Sequence, residues 1–342
     1  MSAHEHLYNL VTGRTKGPLA VFLRAFLFVL SFFYGLVVTL LAGFYRIKPY
    51  RFKAKVISVG NVTLGGTGKT TLVEYLAGLL KIQKRKIVIL SRGYKNADEP
   101  AMLQKKLPYL RVIVDSDRIR SGSKAIRDDA ADTLILDDGF QQWRIFKDLE
   151  IVAVDAKDPF GNGRLLPAGF LREPLFSLKR ADIFLLTQVD GGQDISILYN
   201  KLKRINPKAL IFESIHEPES FNDLLFPEKI FNLDAFKGRS ALLFSGIGNP
   251  QGFEDSIRSL GLKISDSLRY ADHHDYAQKD IDRILETALR LNTDIIVTTQ
   301  KDAVKAGRFD LKNASIAVLN IKLKIIKNEE EFNSRLFKLF SL

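Results

Sequence analysis

The sequence predicts an α/β protein of two lobes, built on a mostly parallel sheet and preceded by an apolar helix. Three observations carry this prediction. Short aliphatic runs alternate with amphipathic helical patterns along most of the chain. A glycine-rich turn joins the first such strand to the first such helix. Near the start, no charged residue occurs between Arg24 and Arg46.

The bulk numbers agree. At about 100–200 residues per domain, 342 residues predict two lobes. Lys+Arg is 51 and Asp+Glu is 39, a net charge of +12, which points to an anionic partner. With 46 % hydrophobic and 26 % charged residues the chain is not a disordered one. It has no cysteine, which excludes disulfides, thiolate metal sites, iron–sulfur clusters and a cysteine nucleophile.

The apolar run is Ala25–Tyr45. At about 1.5 Å per residue it reaches about 30 Å, the depth of a bilayer core. Arg14, Lys16 and Arg24 precede it; Arg46, Lys48, Arg51, Lys53 and Lys55 follow it. Basic charge on both sides sets no orientation. Gly43-Phe44-Tyr45-Arg46 is a poor cleavage site for a signal peptide. A core hairpin is the bland alternative. The reading adopted is an uncleaved membrane-associated helix within residues 1–46, spanning the bilayer or lying in one leaflet, with the rest of the chain cytosolic.

From Lys55 strands and helices alternate. Val56–Val59, Ile87–Leu90, Leu110–Val114, Thr133–Leu136, Ile151–Val154 and Ile183–Leu186 read as buried strands. Ala209–Phe212, Ala241–Phe244, Ile295–Thr298 and Ile316–Leu319 continue the series. Leu72, Leu76, Leu79 and Leu80 share one helical face, as do Ile281, Ile284, Leu285, Ala288 and Leu289. Pro207, Pro218 and Pro227, with the polar stretch His216–Asn222, mark a lobe boundary near 205–235. The expected division is 47–225 for a nucleotide-binding lobe and 226–342 for a second lobe.

Between strand and helix lies Gly60-Asn-Val-Thr63-Leu64-Gly65-Gly66-Thr67-Gly68-Lys69-Thr70-Thr71. Glycines let the backbone curl so that its N–H groups face phosphate oxygens, and the helix N-terminus adds positive potential. Thr63 stands where this motif has a glycine; Gly65-Gly66 supplies the flexibility. Residues Thr63 to Thr71 are the candidate nucleotide cradle of a P-loop NTPase-like fold. Lys69 would reach the β and γ phosphates and Thr70 would bind Mg²⁺. Leu134-Ile-Leu-Asp137-Asp138-Gly139 ends a buried strand with two carboxylates suited to Mg²⁺, although Asp-Gly also favours a plain turn.

Polar clusters follow several strands: Ser91–Tyr94, Asp98-Glu99-Pro100, Asp115–Arg118, Gly161–Arg164, Pro167–Pro174 and Gly246–Pro250. Each alone is ordinary turn chemistry. His273 and His274 lack a nearby third ligand, so zinc is a poor fit; a carboxylate–histidine relay suits deprotonation of a hydroxyl. No helix carries a dense basic stripe with interleaved aromatics, so no nucleic-acid partner is expected.

In order and spacing these segments resemble the tetraacyldisaccharide 4′-kinase (lipid A 4′-kinase) family. The resemblance rests on Ser58–Asn61 running into Gly65–Thr70, then Leu90–Tyr94, Asp98–Pro100, Asp137–Gln141 and Gly161–Pro174. Gly246–Pro250, Asp272–His274 and Val297–Asp302 complete it. It implies a P-loop lobe and a smaller second α/β lobe. It also implies ATP-dependent phosphorylation of the 4′-hydroxyl of a tetraacyldisaccharide 1-phosphate, giving lipid IVA, with Mg²⁺. The partners it implies are the acylated disaccharide 1-phosphate lipid and inner-membrane lipids, at the cytoplasmic face of the bacterial inner membrane. By the same resemblance Asp98 is the general base and His273 its partner, Glu99 and Asp138 belong to the Mg²⁺ region, and Arg118 binds phosphate or substrate. Asp137, Arg172 and Glu173 line the substrate side. The alternative is a membrane-tethered P-loop ATPase or GTPase switch; Thr299-Gln300-Lys301-Asp302 approaches a guanine motif but begins Thr-Gln.

Overall fold

The computed structural model describes residues 8–92, 98–189, 194–272 and 274–341, without the side chains of Asp98 and Glu99. The chain forms two compact units. The first comprises Met1–Arg92, Ile113–Ile215 and Ile325–Leu342; the second comprises Gly93–Val112 and His216–Lys324.

The first unit is built on strands β1 (Lys55–Gly60), β2 (Ile87–Ser91), β3 (Arg111–Val114), β4 (Thr133–Asp137), β5 (Leu149–Asp155), β6 (Ile183–Thr187) and the start of β7 (Leu210–Asp223). Their order is β3-β2-β4-β1-β5-β6-β7. The registered pairs from β2 through β7 are parallel. Every residue of β2, β4 and β6 is buried, as a sheet covered on both faces requires. From β1 the chain first goes to one side, to β2 beyond β4, and later returns on the other side as β5. That reversal of strand order opens a crevice at the carboxyl ends of β1 and β4, where open α/β sheets bind ligands.

Before the sheet, helix α1 (Pro18–Ile47) is long and apolar enough to cross a membrane, with a mean hydropathy of 2.4. It buries a stripe of mostly small residues, Ala20, Ser31, Gly35, Val38 and Ala42. The large ones, among them Phe22, Phe26, Phe33, Leu36 and Leu40, are exposed. Helices α2 (Lys69–Ile82), α4 (Arg118–Asp128), α5 (Ser196–Ile205) and α9 (Glu329–Phe337) also belong to this unit. The sequence expectation placed residues 226–342 in the second lobe. Instead the C-terminus groups with the first unit, because Phe332 on α9 is fully buried edge-on to Phe212, ring centres 5.2 Å apart. The Tyr75 hydroxyl also donates to Glu329, at 2.8 Å.

The second unit holds the end of β7, then β8 (Ile230–Phe231), β9 (Ser240–Ser245), β10 (Lys263–Arg269), β11 (Ile295–Thr299) and most of β12 (Ile316–Lys327), ordered β10-β9-β11-β12-β7. The pairs β10–β9, β9–β11 and β11–β12 are parallel, and β8 adds to β7 antiparallel. Helices α3 (Asp98–Lys106), α6 (Pro250–Ser259), α7 (Gln278–Arg290) and α8 (Gln300–Ala306) belong here. The expected α7 face, Ile281, Ile284 and Leu285, is buried with Leu242, Phe244 and Val318.

The division between the units falls at Ile215/His216, within the expected 205–235, but the polar stretch 216–222 continues as strand. It is the second half of β7, and Asn320 of β12 donates to Ser220 at 3.0 Å. Its polar side chains disguised a strand because this part of the sheet is only half covered. His216, on this strand, is half-buried. Burial, reinforced by Lys106 and Lys301, pushes its pKa from 6.5 down to about 4. The folded chain thus binds fewer protons than the unfolded one between those values, so this residue costs stability as the pH falls from 6.5 towards 4. In denaturant titrations the His216→Gln variant should lose about 1–3 kcal/mol less than wild type over that window. Equal losses would refute the assignment.

Candidate active site

The glycine-rich turn leaves β1 at Gly60, which lies against the Asp137–Phe140 turn. A Cβ at Gly60 would sit 2.5 Å from the Phe140 nitrogen. Gly65 (φ 118°) and Gly68 (φ 76°) occupy backbone conformations that side chains resist. Gly68 is the N-cap of α2, so the amides of the first turn, Lys69, Thr70 and Thr71, lack helical acceptors and are oriented to meet an anion. Thr71 donates to the Gly68 carbonyl at 2.8 Å, and Thr187 at the end of β6 donates to the Thr67 carbonyl at 3.1 Å. The limb before the turn is held too. Leu64 N–H donates to the Phe170 carbonyl at 2.7 Å, and Thr63 bridges to Leu171. Thr67 Oγ1 is buried without a protein partner among the described residues.

Asp138 faces this cradle from the end of β4, in the left-handed region at φ 56°. Lys69 Nζ lies 3.7 Å from its carboxylate. Arg172 Nη1 donates to both of its oxygens, at 2.9 and 2.7 Å. Asp137 is buried, and accepts from the Ser91 hydroxyl at 3.1 Å. Arg118, 2 % exposed, donates to the carbonyls of Asp115 (2.7 Å) and Asp137 (3.2 Å). It therefore ties together the ends of two strands from within.

A second tier of charges supports the Asp138 turn. Glu173, 1 % exposed, accepts both terminal nitrogens of Arg180 (2.8 and 2.9 Å), Trp143 Nε1 (3.1 Å) and Gln141 Nε2 (3.2 Å). Arg180 also covers the Phe140 ring, 4.1 Å from its centre, and donates to the Phe140 carbonyl at 3.3 Å. Beneath, Lys147 donates to that same carbonyl (3.2 Å) and to Glu150 (2.5 Å). Burial pushes the Lys147 ammonium down and the Glu150 carboxyl up, and each charge opposes the other's shift. None of Trp143, Lys147, Glu150 or Arg180 stood out in the sequence, for no motif marks a residue whose partners lie on other strands.

The second unit carries its own network. Asp302 near the start of α8 is buried, and accepts from Thr299 (2.6 Å), Gly246 N–H (2.9 Å) and the Tyr276 hydroxyl (3.0 Å). Burial raises its pKa. Lys305 donates to the His274 carbonyl at 3.0 Å, and the His274 ring stacks on Tyr270 and meets Asp280 at 3.2 Å. Residues 274–276 are thereby held by α7 and α8. His273 and the side chains of Asp98 and Glu99 lie outside the described residues. Helix α3, which begins at Asp98, packs on α8, so the segments bearing Asp98 and His273 belong to one unit, against the sequence expectation of separate lobes.

Comparison with known proteins decides what the crevice belongs to. The sequence profile of the tetraacyldisaccharide-1-P 4′-kinases matches residues 23–341. The chain belongs to that family. The tetraacyldisaccharide 4′-kinase of Halothermothrix orenii is 34 % identical over 94 % of both chains. That of Elusimicrobium minutum is 36 % identical over 92 % of this chain and 90 % of its own. The crystal structure of the "apo" form of LpxK from Aquifex aeolicus in complex with ATP aligns with a TM-score of 0.72. It is 29 % identical and covers 93 % of this chain and all of that one. The chain is accordingly an ATP-dependent lipid A 4′-kinase with a P-loop NTPase-like fold.

The residues of the first unit fit a magnesium nucleotide. Among the described residues no three His, Asp or Glu side chains converge as a metal cage. Mg²⁺ takes one or two protein oxygens and fills its shell with phosphates and water. Thr70, 7 % exposed, opens α2 beside Lys69. Lys69→Ala should lower kcat by on the order of 10²-fold or more with the fold intact, measured by turnover beside a melting curve; near-normal turnover would refute the cradle. Glu173→Gln should cost about 3 kcal/mol of stability or more, by leaving Arg180 buried and unpaired, and a melting temperature equal to wild type would contradict the second tier.

Proposed function

We propose that this kinase binds Mg·ATP through residues 63–71 and transfers the γ-phosphate to the 4′-hydroxyl of a membrane-held tetraacyldisaccharide 1-phosphate at the cytoplasmic face of the bacterial inner membrane. The observation that carries the reading is the convergence of Lys69 and Arg172 on Asp138 beside the amides of α2. The backbone amides and Lys69 neutralise the phosphate tail as charge shifts in the transition state. Thr70 and Asp138, with Glu99, would hold Mg²⁺, which would offset the charge of the phosphate tail. Arg172 holds the Asp138 carboxylate in place through two charge-assisted hydrogen bonds. Arg118 acts by fixing the backbone ends that present Asp137 and Asp115, and Asp137 and Glu173, expected on the substrate side but buried, act from behind by holding the turn that presents Asp138.

Asp98 takes the proton of the 4′-hydroxyl as it attacks, and His273 orients and tunes that carboxylate. Support comes from the second unit, where Asp302 and Lys305 of α8 hold Tyr276 and the His274 carbonyl, just after position 273, and α3 rests on the same helix. The α1 helix, with Arg46, Lys48 and Arg51 at its end, keeps the enzyme where its insoluble acceptor lies.

Purified full-length protein with Mg·ATP and the acylated acceptor in mixed micelles tests the reading. Asp98→Asn should lower kcat by about 10²-fold or more with ATP affinity unchanged, and His273→Ala should do the same less severely. If the two act as a unit, the double variant loses far less than the product of the single losses. Multiplicative losses would say that both matter separately, and unchanged kcat in both would overturn the base assignment.

A further inference from the structure

Helix α1 does more than lie against lipid. Its buried stripe packs on the loop 161–173, which also touches the nucleotide turn. Ser31 Oγ donates to the Leu165 carbonyl at 2.9 Å, and Tyr34 Oη donates to the Arg172 carbonyl at 2.9 Å. Gly35 lies so close to Leu165 that a Cβ there would sit 2.6 Å from its Cδ1. Arg164 reaches over the Phe28 ring, 5.8 Å from its centre. On its other side the same loop grips the limb before the phosphate turn. Arg172 N–H donates to the Val62 carbonyl at 2.8 Å, and the Phe170 carbonyl accepts from Leu64 N–H at 2.7 Å. Arg172 is thus tied at its carbonyl by α1, at its amide by the nucleotide limb and at its guanidinium by Asp138.

We infer that α1 is a positioning element of the phosphoryl-transfer site, with Ser31, Tyr34 and Gly35 setting the 161–173 loop and, through it, Arg172 and the limb Val62–Leu64. The lipid-facing and site-facing jobs fall on opposite sides of one helix. The large residues Phe22, Phe26, Phe33, Leu36 and Leu40 are exposed, whereas Ser31 and Gly35 are buried against the loop and the Tyr34 hydroxyl bonds to it. A small-residue stripe lets backbones approach closely, and a hydroxyl–carbonyl bond fixes the register of the approach. The inference rests on the roles given above to Arg172 and Asp138.

The test separates positioning from membrane binding. Full-length Tyr34→Phe, Gly35→Leu, Gly35→Leu with Leu165→Ala, and Arg172→Ala are compared with wild type. The readouts are KM for Mg·ATP, kcat at saturating acceptor in mixed micelles, melting temperature, and co-sedimentation with phosphatidylethanolamine–phosphatidylglycerol vesicles. Gly35→Leu should lower kcat/KM for Mg·ATP at least about tenfold with vesicle binding unchanged, because the added side chain must push the loop off the helix. Leu165→Ala should restore much of that loss by giving back the space. Tyr34→Phe, which removes one hydroxyl and no packing, should lose about three- to tenfold, and it decides the matter alone if Gly35→Leu does not fold. Unchanged kinetics in Tyr34→Phe and Gly35→Leu, or losses only in proportion to lost vesicle binding, would overturn the inference. An impaired Arg172→Ala beside those silent variants would leave the proposed function standing, whereas a silent Arg172→Ala would remove its foundation.

Discussion

An aspartate held in a left-handed turn between two cations is the constraint around which the first unit is arranged. Asp138 has φ 56°, costly for a residue with a side chain. Its carboxylate is 16 % exposed and meets both Lys69 and Arg172. Charge-assisted bonds of this kind offset the backbone cost only if every partner is itself fixed. The neighbourhood supplies that fixation. Gly60 admits the turn by lacking a Cβ, Arg118 ties the Asp137 carbonyl, and Arg180 and Lys147 both donate to the Phe140 carbonyl two residues on. Burying Arg180 and Lys147 would be prohibitive without Glu173 and Glu150, which explains why the charges under the turn come in pairs.

The second unit solves a different problem, that of holding an irregular segment without a regular element. The chain around 272–276 is tethered through Tyr276 to Asp302 and through the His274 carbonyl to Lys305. Both tethers come from one short helix, α8, capped by Thr299. Asp302 accepts three hydrogen bonds while burial pushes its pKa up, so the donors rather than solvent keep it useful as an acceptor. On the assignment proposed for Asp98 and His273, such tethers matter because proton transfer depends on distance and alignment before it depends on pKa.

Much of this was legible in the sequence, and the boundary of legibility has a physical cause. The phosphate turn declared itself because its chemistry is local: three glycines, a lysine and four threonines within the nine residues 63–71. The buried parallel strands did so through unbroken aliphatic runs such as Ile87–Leu90 and Ile183–Leu186. The polar half of β7 failed because alternation is weak in a strand only partly covered, and Pro218 reads as a breaker. The return of α9 to the first unit failed because it turns on one ring, Phe332, meeting Phe212 about 120 residues away in the chain. Glu173 was singled out, yet its partners Trp143 and Arg180 were not, since a buried ion pair leaves no period to read.

The apolar helix shows both limits at once. Its length and lack of charge announced a membrane element, and its exposed phenylalanines and leucines agree. The spacing Ser31, Gly35, Val38, Ala42 repeats at three and four residues, so small side chains line one face; that pattern was present in the sequence as the mark of a packing surface. Lipid tails are as apolar as leucine, so hydrophobicity cannot hold such a helix to its own protein. Close approach and hydrogen bonds must do so. Here the bonds end on the Leu165 and Arg172 carbonyls, within the loop that carries the arginine bound to Asp138. On the function proposed above, the element that meets the lipid is also the one against which the loop bearing Arg172 is set.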